Sequence, residues 1–90
     1  MSEMYFPEDT PNFKKKMKKL CKKDRVRFER VRRKVQEVLK NPHICKPLGN
    51  VMAGIRSVHI DPFVFTFSID EKKKIVKFLD YEHHDKIYGS

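Results

Sequence analysis

Between Phe63 and Ile69 the chain alternates strictly, with Phe63, Phe65, Phe67 and Ile69 interleaved by Val64, Thr66 and Ser68. Successive side chains of a strand project to opposite faces, so this stretch predicts a strand with three aromatic rings and an isoleucine on one side. A face that apolar has to be covered by a second layer. The first half of the chain supplies one. Thr10 followed by Pro11 reads as a helix N-cap with proline at the first helical position. Phe13, Met17, Leu20 and Cys21 then recur at the i, i+4, i+7, i+8 spacing of one helical face, with lysines filling the others. Lys22 to Arg25 form a polar break in which Asp24 caps a second helix. Phe28, Val31, Val35, Val38 and Leu39 carry the same period until Asn41 and Pro42 stop it. The prediction is a helical hairpin over about 11–41. It cannot bury its own stripes, so hairpin and sheet need each other.

Two further runs, Arg56 to Ile60 and Lys74 to Leu79, are rich in β-branched and aromatic residues and bounded by turn residues. Asp61 and Pro62 turn the first strand into the second, and Asp70 to Lys73 turn the second into the third, which predicts an antiparallel meander over about 55–80. Met4 to Phe6 add a short strand at the start. The stretch from Pro42 to Gly54, with Pro47 and Gly49, reads as a loop suited to functional side chains on a rigid scaffold. The expected fold is α+β: an N-terminal two-helix hairpin packed on a mostly antiparallel sheet of three to four strands. It forms one domain, 1–90, ending in a tail, 81–90. A chain of 90 residues buries only about 60–65% of the surface exposed on unfolding, which leaves one modest core and no deep cofactor cleft.

Charge placement narrows the partners. The chain has 21 Lys and Arg against 12 Asp and Glu, a formal charge of +9. From Lys14 to Lys40 fourteen basic residues face only Asp24, Glu29 and Glu37, a net of +11 that leaves about −2 for the remainder. Such a field steers a polyanion toward one region, and nucleic acid or an acidic protein is the natural partner. The plainer account of a lysine-rich helix is a solvated face, which an excess this large makes insufficient for the whole segment. Cys21 and Cys45 are 24 residues apart, neither a disulfide framework nor a close zinc pair, and are expected to be reduced and buried. No run approaches a membrane span, and the acidic start lacks a signal peptide's regions, so a cytoplasmic protein with no membrane partner is expected.

Within Arg56 to Ile60, Val58 and Ile60 point to the core, which places Ser57 and His59 on the opposite face. The tail brings Tyr81, Glu82, His83, His84, Asp85, Lys86, Ile87 and Tyr88 to the end of the third strand. Histidine suits proton transfer near neutral pH, tyrosine stacks on a base and lysine neutralises a phosphate. Each residue also has an ordinary reading: His59 as a polar surface residue, His83 and His84 as a fraying end. A zinc site from His59, His83, His84 and Cys45 matches no recognised ligand spacing, so no metal is expected. Glycine-rich phosphate loops, a nucleophile elbow and a metalloprotease helix motif are absent from the sequence, and no cofactor is expected.

Several stretches taken together resemble the RelE/ParE superfamily of small toxins from toxin–antitoxin pairs, and within it the RelE and YafQ-like messenger-RNA interferases. They are the basic helix pair ending in Val38-Leu39-Lys40-Asn41-Pro42, the loop Lys46-Pro47-Leu48, the stretch from Gly54 through Ile55-Arg56-Ser57-Val58-His59-Ile60-Asp61-Pro62 to Phe63, and the closing His84-Asp85-Lys86-Ile87-Tyr88. The resemblance runs from about Met4 to Tyr88. It implies the family's microbial ribonuclease-like α+β fold. It further implies a toxin that cleaves messenger RNA at the ribosome without a metal, held inactive by an acidic antitoxin and binding operator DNA only through that complex.

The resemblance also assigns roles. His84 matches the family's C-terminal histidine and becomes the candidate general acid, and Tyr88 matches the C-terminal aromatic that stacks on a base or orients the phosphate. His59 matches a functional histidine of the YafQ-like branch, as base or phosphate ligand, and Lys46 occupies a functional loop position. Phe63 corresponds to a cleft aromatic. Arg56, Lys86 and His83 complete the candidates for substrate and phosphate binding. Two positions depart from the family pattern: arginines expected on the second strand and near the end of the third fall at Val64 and in Asp80 to Glu82. The alternative reading is therefore a catalytically weakened binding protein, directed at antitoxin and ribosome or, like the ParE branch, at DNA gyrase.

Overall fold

Thr10 opens the first helix as its hydroxyl accepts the Phe13 amide at 3.2 Å, and Pro11 occupies the first turn. Helix α1 runs Pro11–Lys23 and α2 runs Arg25–Lys40, with Asp24 closing one and capping the other. The Arg27 amide, donating to the Asp24 carboxylate at 3.0 Å, is the first reason that carboxyl sits below the ordinary range. Asn41 ends α2, and Pro42–Ile44 turn once as a 3₁₀ helix. The remaining elements are strands β1 (Phe6–Asp9), β2 (Lys46–Pro47), β3 (Ile55–Ile60), β4 (Phe63–Asp70) and β5 (Ile75–His83), and a short helix α3 (His84–Tyr88). This computed structural model describes residues 4–47 and 54–88. The expected loop positions Leu48 and Gly49 lie outside the described residues.

The five strands lie in the order β1-β5-β4-β3-β2. β3, β4 and β5 form the predicted antiparallel meander, with a cis Asp61–Pro62 peptide in the first turn. Three features differ from the sequence reading. The N-terminal strand is Phe6–Asp9 rather than Met4 to Phe6, and it pairs in parallel with Ile75–Phe78 at the sheet edge. Lys46 and Pro47 form a two-residue strand opposite Ser57 and Arg56. β5 continues through His83, so Tyr81 to His83 belong to the sheet and only α3 follows it.

The hairpin covers the aromatic face as its pattern requires. Phe65, Phe67, Phe78, Val31 and Val76 are fully buried, and Phe13 stacks on Phe78 with ring centroids 5.3 Å apart. Cys21 and Cys45 are free thiols but half-buried rather than buried, because both lie at the margin of that core. At the far end of the sheet a polar clasp ties β1 to the β4–β5 turn. The Tyr5 hydroxyl donates to Glu71 at 2.9 Å, Lys74 lies 3.0 Å from the same carboxylate, and the His43 ring also contacts it. Hydrogen bonds from Lys74, Tyr5 and His43 hold the Glu71 carboxyl down to about 2. Among the described residues no helix is long and apolar enough to cross a membrane.

Candidate functional site

Strand parity puts His59 opposite Val64 on β4, on the face turned away from the hairpin, as the alternation in β3 predicts. The other contributor arrives from the far side of the sheet. β5 would carry every even-numbered residue toward the core, where Val76 and Phe78 lie, but the register against β4 shifts between Thr66 and Phe67. One extra residue, Leu79, is taken up there and inverts the parity of everything beyond it. Tyr81 therefore turns into the core, opposite Phe65, while Asp80 and Glu82 turn to the face bearing His59, opposite Thr66 and Val64. His59, Val64 and Glu82 form one row across three strands.

α3 folds back from the end of β5 over this second face. Its cover accounts for the burial of Val64 and Thr66, which point away from the hairpin. Ile87 and Lys86 line a cavity with Asn12, Ile55, Thr66, Leu79 and Asp80. The fold-back brings the His84 ring to 5.8 Å from the His59 ring, centroid to centroid, at an interplanar angle of 44°. The His84 Nδ1 lies 3.7 Å from the Asp85 carboxylate, and Lys86 lies 3.9 Å from Glu82.

On the outer side of His59 a cleft of about 440 Å³ opens between α2 and the edge of β3, lined by Arg30, Arg33, Lys34, Glu37, Ile60 and Asp61. Arg30 and Arg33 are exposed, and neither forms an ion pair with a described residue. A basic wall beside a histidine is suited to a phosphodiester. These α2 residues were legible in the sequence only as part of the general excess of charge. Their helical spacing, Arg30, Arg33, Lys34 and Glu37, was the signal available for one shared face.

The other sequence candidates lie elsewhere. Phe63 faces the hairpin, stacked on Tyr81 at 5.0 Å with the Arg27 guanidinium 5.0 Å from its ring centroid. His83, opposite Phe63, meets that ring edge-on at 5.6 Å and accepts the Asp85 amide at 3.2 Å. Arg56 also faces the hairpin side, opposite Phe67, and donates to the Cys45 carbonyl at 2.6 Å. Lys46 is the register partner of Ser57 in β2, and Tyr88 closes α3 one turn beyond His84. The structure thus brings together His59 and His84, sets Lys86 beside Glu82 on the same face, and separates these from Phe63, His83 and Arg56. Among the described residues no three His, Cys, Asp or Glu side chains converge as metal ligands.

No protein-family model matches the chain. A Methanocaldococcus jannaschii protein named "Putative toxin RelE4" is 40% identical over 86 residues, covering 94% of this chain and 92% of its own length. An uncharacterised protein of Methanosarcina mazei is 44% identical over 86 residues, covering 94% of this chain and all of its own. Among solved structures, the toxin–antitoxin complex RelBE2 of Mycobacterium tuberculosis contains a chain with the same fold, at a TM-score of 0.77 and 20% identity, covering 92% of this chain and 94% of that one.

Proposed function

This chain belongs to the RelE family of toxins, and on that premise we propose that it is a ribosome-dependent endoribonuclease that cleaves messenger RNA with His84 and His59 as its acid–base pair. The observation that carries the reading is the approach of those two rings to 5.8 Å on one sheet face, from elements 25 residues apart in the chain. In the reaction, the ribose 2′-oxygen bonds to the adjacent phosphorus as the phosphorus–5′-oxygen bond breaks. One group takes the 2′-hydroxyl proton and another protonates the leaving 5′-oxygen. His84 is assigned the acid and His59 the base or phosphate ligand. Lys86 offers its ammonium to the phosphate, and Tyr88 stacks on a neighbouring base. Rings at this spacing reach oxygens of a single phosphate, and such contacts commonly tighten only when substrate is bound. The chemistry as written needs acid, base and cation. An acidic antitoxin is the proposed inhibitor, attracted by the +9 charge and partnered as in the RelBE2 complex.

Regulated expression in bacteria with mapping of message 5′ ends at the ribosome tests this. The wild-type chain should arrest growth and leave codon-positioned ends, and His84→Ala should lower cleavage by about 10²–10⁴-fold. Cleavage unchanged in His84→Ala would remove the assignment.

A second reading is supported by Val64 and the Asp80 to Glu82 stretch. Val64 is fully buried and both carboxylates are engaged by Lys16, so these positions carry no free cation for a charged phosphorane. Loss of one such contact lowers a rate by about 10²–10³-fold. On this reading the chain binds antitoxin and ribosome, or inhibits gyrase, without cutting. Growth arrest with intact messages favours it, and a DNA supercoiling assay then separates its two targets.

A further inference from the structure

We propose that Lys16 is the charge-compensating residue of the His59/His84 face: it neutralises Asp80 and Glu82 there, so that an RNA phosphate can approach and Lys86 is left to meet it. This deepens the ribonuclease reading and rests on it. Lys16 belongs to α1, on the hairpin side of the sheet, yet its ammonium lies 2.6 Å from Asp80 and within hydrogen-bonding distance of Glu82. The path is the edge of β5. β1 pairs with β5 only as far as Phe78, and beyond that point α1 takes over the edge. Asn12 donates to the Leu79 carbonyl at 3.1 Å and to the Asp80 carboxylate at 2.9 Å, and Lys16, one turn on, passes around the edge to the other face.

Lys16 differs from the other lysines of its helix. Its side chain is 27% exposed, whereas Lys14, Lys15, Lys18, Lys19, Lys22 and Lys23 are exposed and make no ion pair among the described residues. Burial alone pulls its ammonium down, but hydrogen bonds to Asp80 and Glu82 outweigh that and raise it, so Lys16 stays charged. The need for it follows from the bulge at Leu79, which turns two carboxylates onto the face where phosphate must bind, one of them in the same cross-strand row as His59. Lys86 cannot serve both ends. It is 75% exposed and only loosely paired with Glu82 at 3.9 Å. Because Lys16 already holds Glu82, Lys86 can leave that carboxylate for a phosphate without stranding it.

The test is equilibrium binding of the full chain, at low salt, to a short 2′-O-methylated RNA that cannot be cleaved, with thermal melting of each variant. Lys16→Met should weaken binding about tenfold, since an uncompensated charge within a Debye length of the phosphate acts at close to full strength. Lys16→Arg should bind like the wild type. Glu82→Gln, which leaves Lys16 in excess, should tighten binding a few-fold, and Lys16→Met/Glu82→Gln should return to within about twofold of the wild type. An ion pair that only braces α1 against β5 predicts lower melting temperatures and no tightening. Unchanged binding in Lys16→Met, or failure of Glu82→Gln to rescue it, overturns the proposal. If Lys16→Met does not fold, Glu82→Gln alone decides, because tightening supports the compensation and no change refutes it. A wild-type chain that binds no RNA off the ribosome overturns this inference, while the ribosome-dependent reading falls only if messages mapped at the ribosome stay intact, so the two failures are distinguishable.

Discussion

The two faces of one sheet divide the molecule's work. On the hairpin side Phe65, Phe67, Phe78 and Val76 are sealed under Phe13 and Val31, and the residues there are interchangeable in chemistry so long as they fill space. On the other side the same strands present Ser57, His59, Thr66, Asp80 and Glu82 beneath a five-residue helix. The first face is large and made stable by area. The second is small, polar and covered only in part, so it holds reactive groups at the surface with Val64 as its buried floor. Because alternate residues of the same strands serve both faces, a substitution one position along exchanges a folding effect for a functional one.

The sharpest way to break that division is Phe65→Ala. Phe65 is fully buried against Phe13 and Phe78, so the change should remove about 3–5 kcal/mol of stability, a large share of the total for a domain this size. A denaturant titration showing a loss under 1 kcal/mol would mean that the hairpin face is not the structural one. On the opposite face, the His84→Ala change described above should leave the same titration within about 0.5 kcal/mol of the wild type, since its side chain is 47% exposed. A large loss of stability there would merge the two faces into one.

Smaller effects sharpen the boundary between them. Thr10→Ala deletes the α1 cap and a hydroxyl that donates to the Phe78 carbonyl at 2.9 Å, where the hairpin meets β5. Thermal or chemical unfolding should register about 1–2 kcal/mol. The smallest effect concerns the Tyr5–Glu71–Lys74 clasp, which belongs to neither face. The Glu71 carboxyl lies at about 2 in the folded chain against an ordinary 4.5, so its contribution is complete above pH 4.5 and is lost as pH falls toward 2. Glu71→Gln should flatten the stability profile in that window and lie below the wild type by a constant offset near neutrality. A wild-type profile parallel to that of the variant would show that the clasp is not linked to folding.

Much of this was written in local signals. Thr10-Pro11, Asp24 and Asn41-Pro42 mark the helix ends where the structure has them, because caps and proline act within a turn of chain. The alternation in Phe63 to Ile69 named the covered face, and the parity of Val58 and Ile60 named His59 as its opposite. The partnership of β1 with β5 was not legible, since its strand is exposed at every position and its partner lies about seventy residues away. Nor was the extension of β5 through His83. Unbroken alternation from Phe78 sends Asp80 and Glu82 to the core, an unfavourable place for two carboxylates, so the pattern gives no sign that the strand continues. The same shift turns His83 to the hairpin side, whereas Phe63 lies there by the alternation of its own strand.

By itself the sequence determined which residues form helices, which form the meander and which face of it is apolar, because those depend on caps, periodicity and alternation along short lengths of chain. It also set the sign of the molecule's field, a sum over residues. The tertiary structure alone decided that His59 meets His84, that Arg30 and Arg33 wall the adjoining cleft, and that Lys16 reaches the second face. Each of these depends on a single bulged residue, the fold-back of a one-turn helix or the place where one strand stops covering another. Such steps change direction without changing composition, so they leave no periodic trace in the chain.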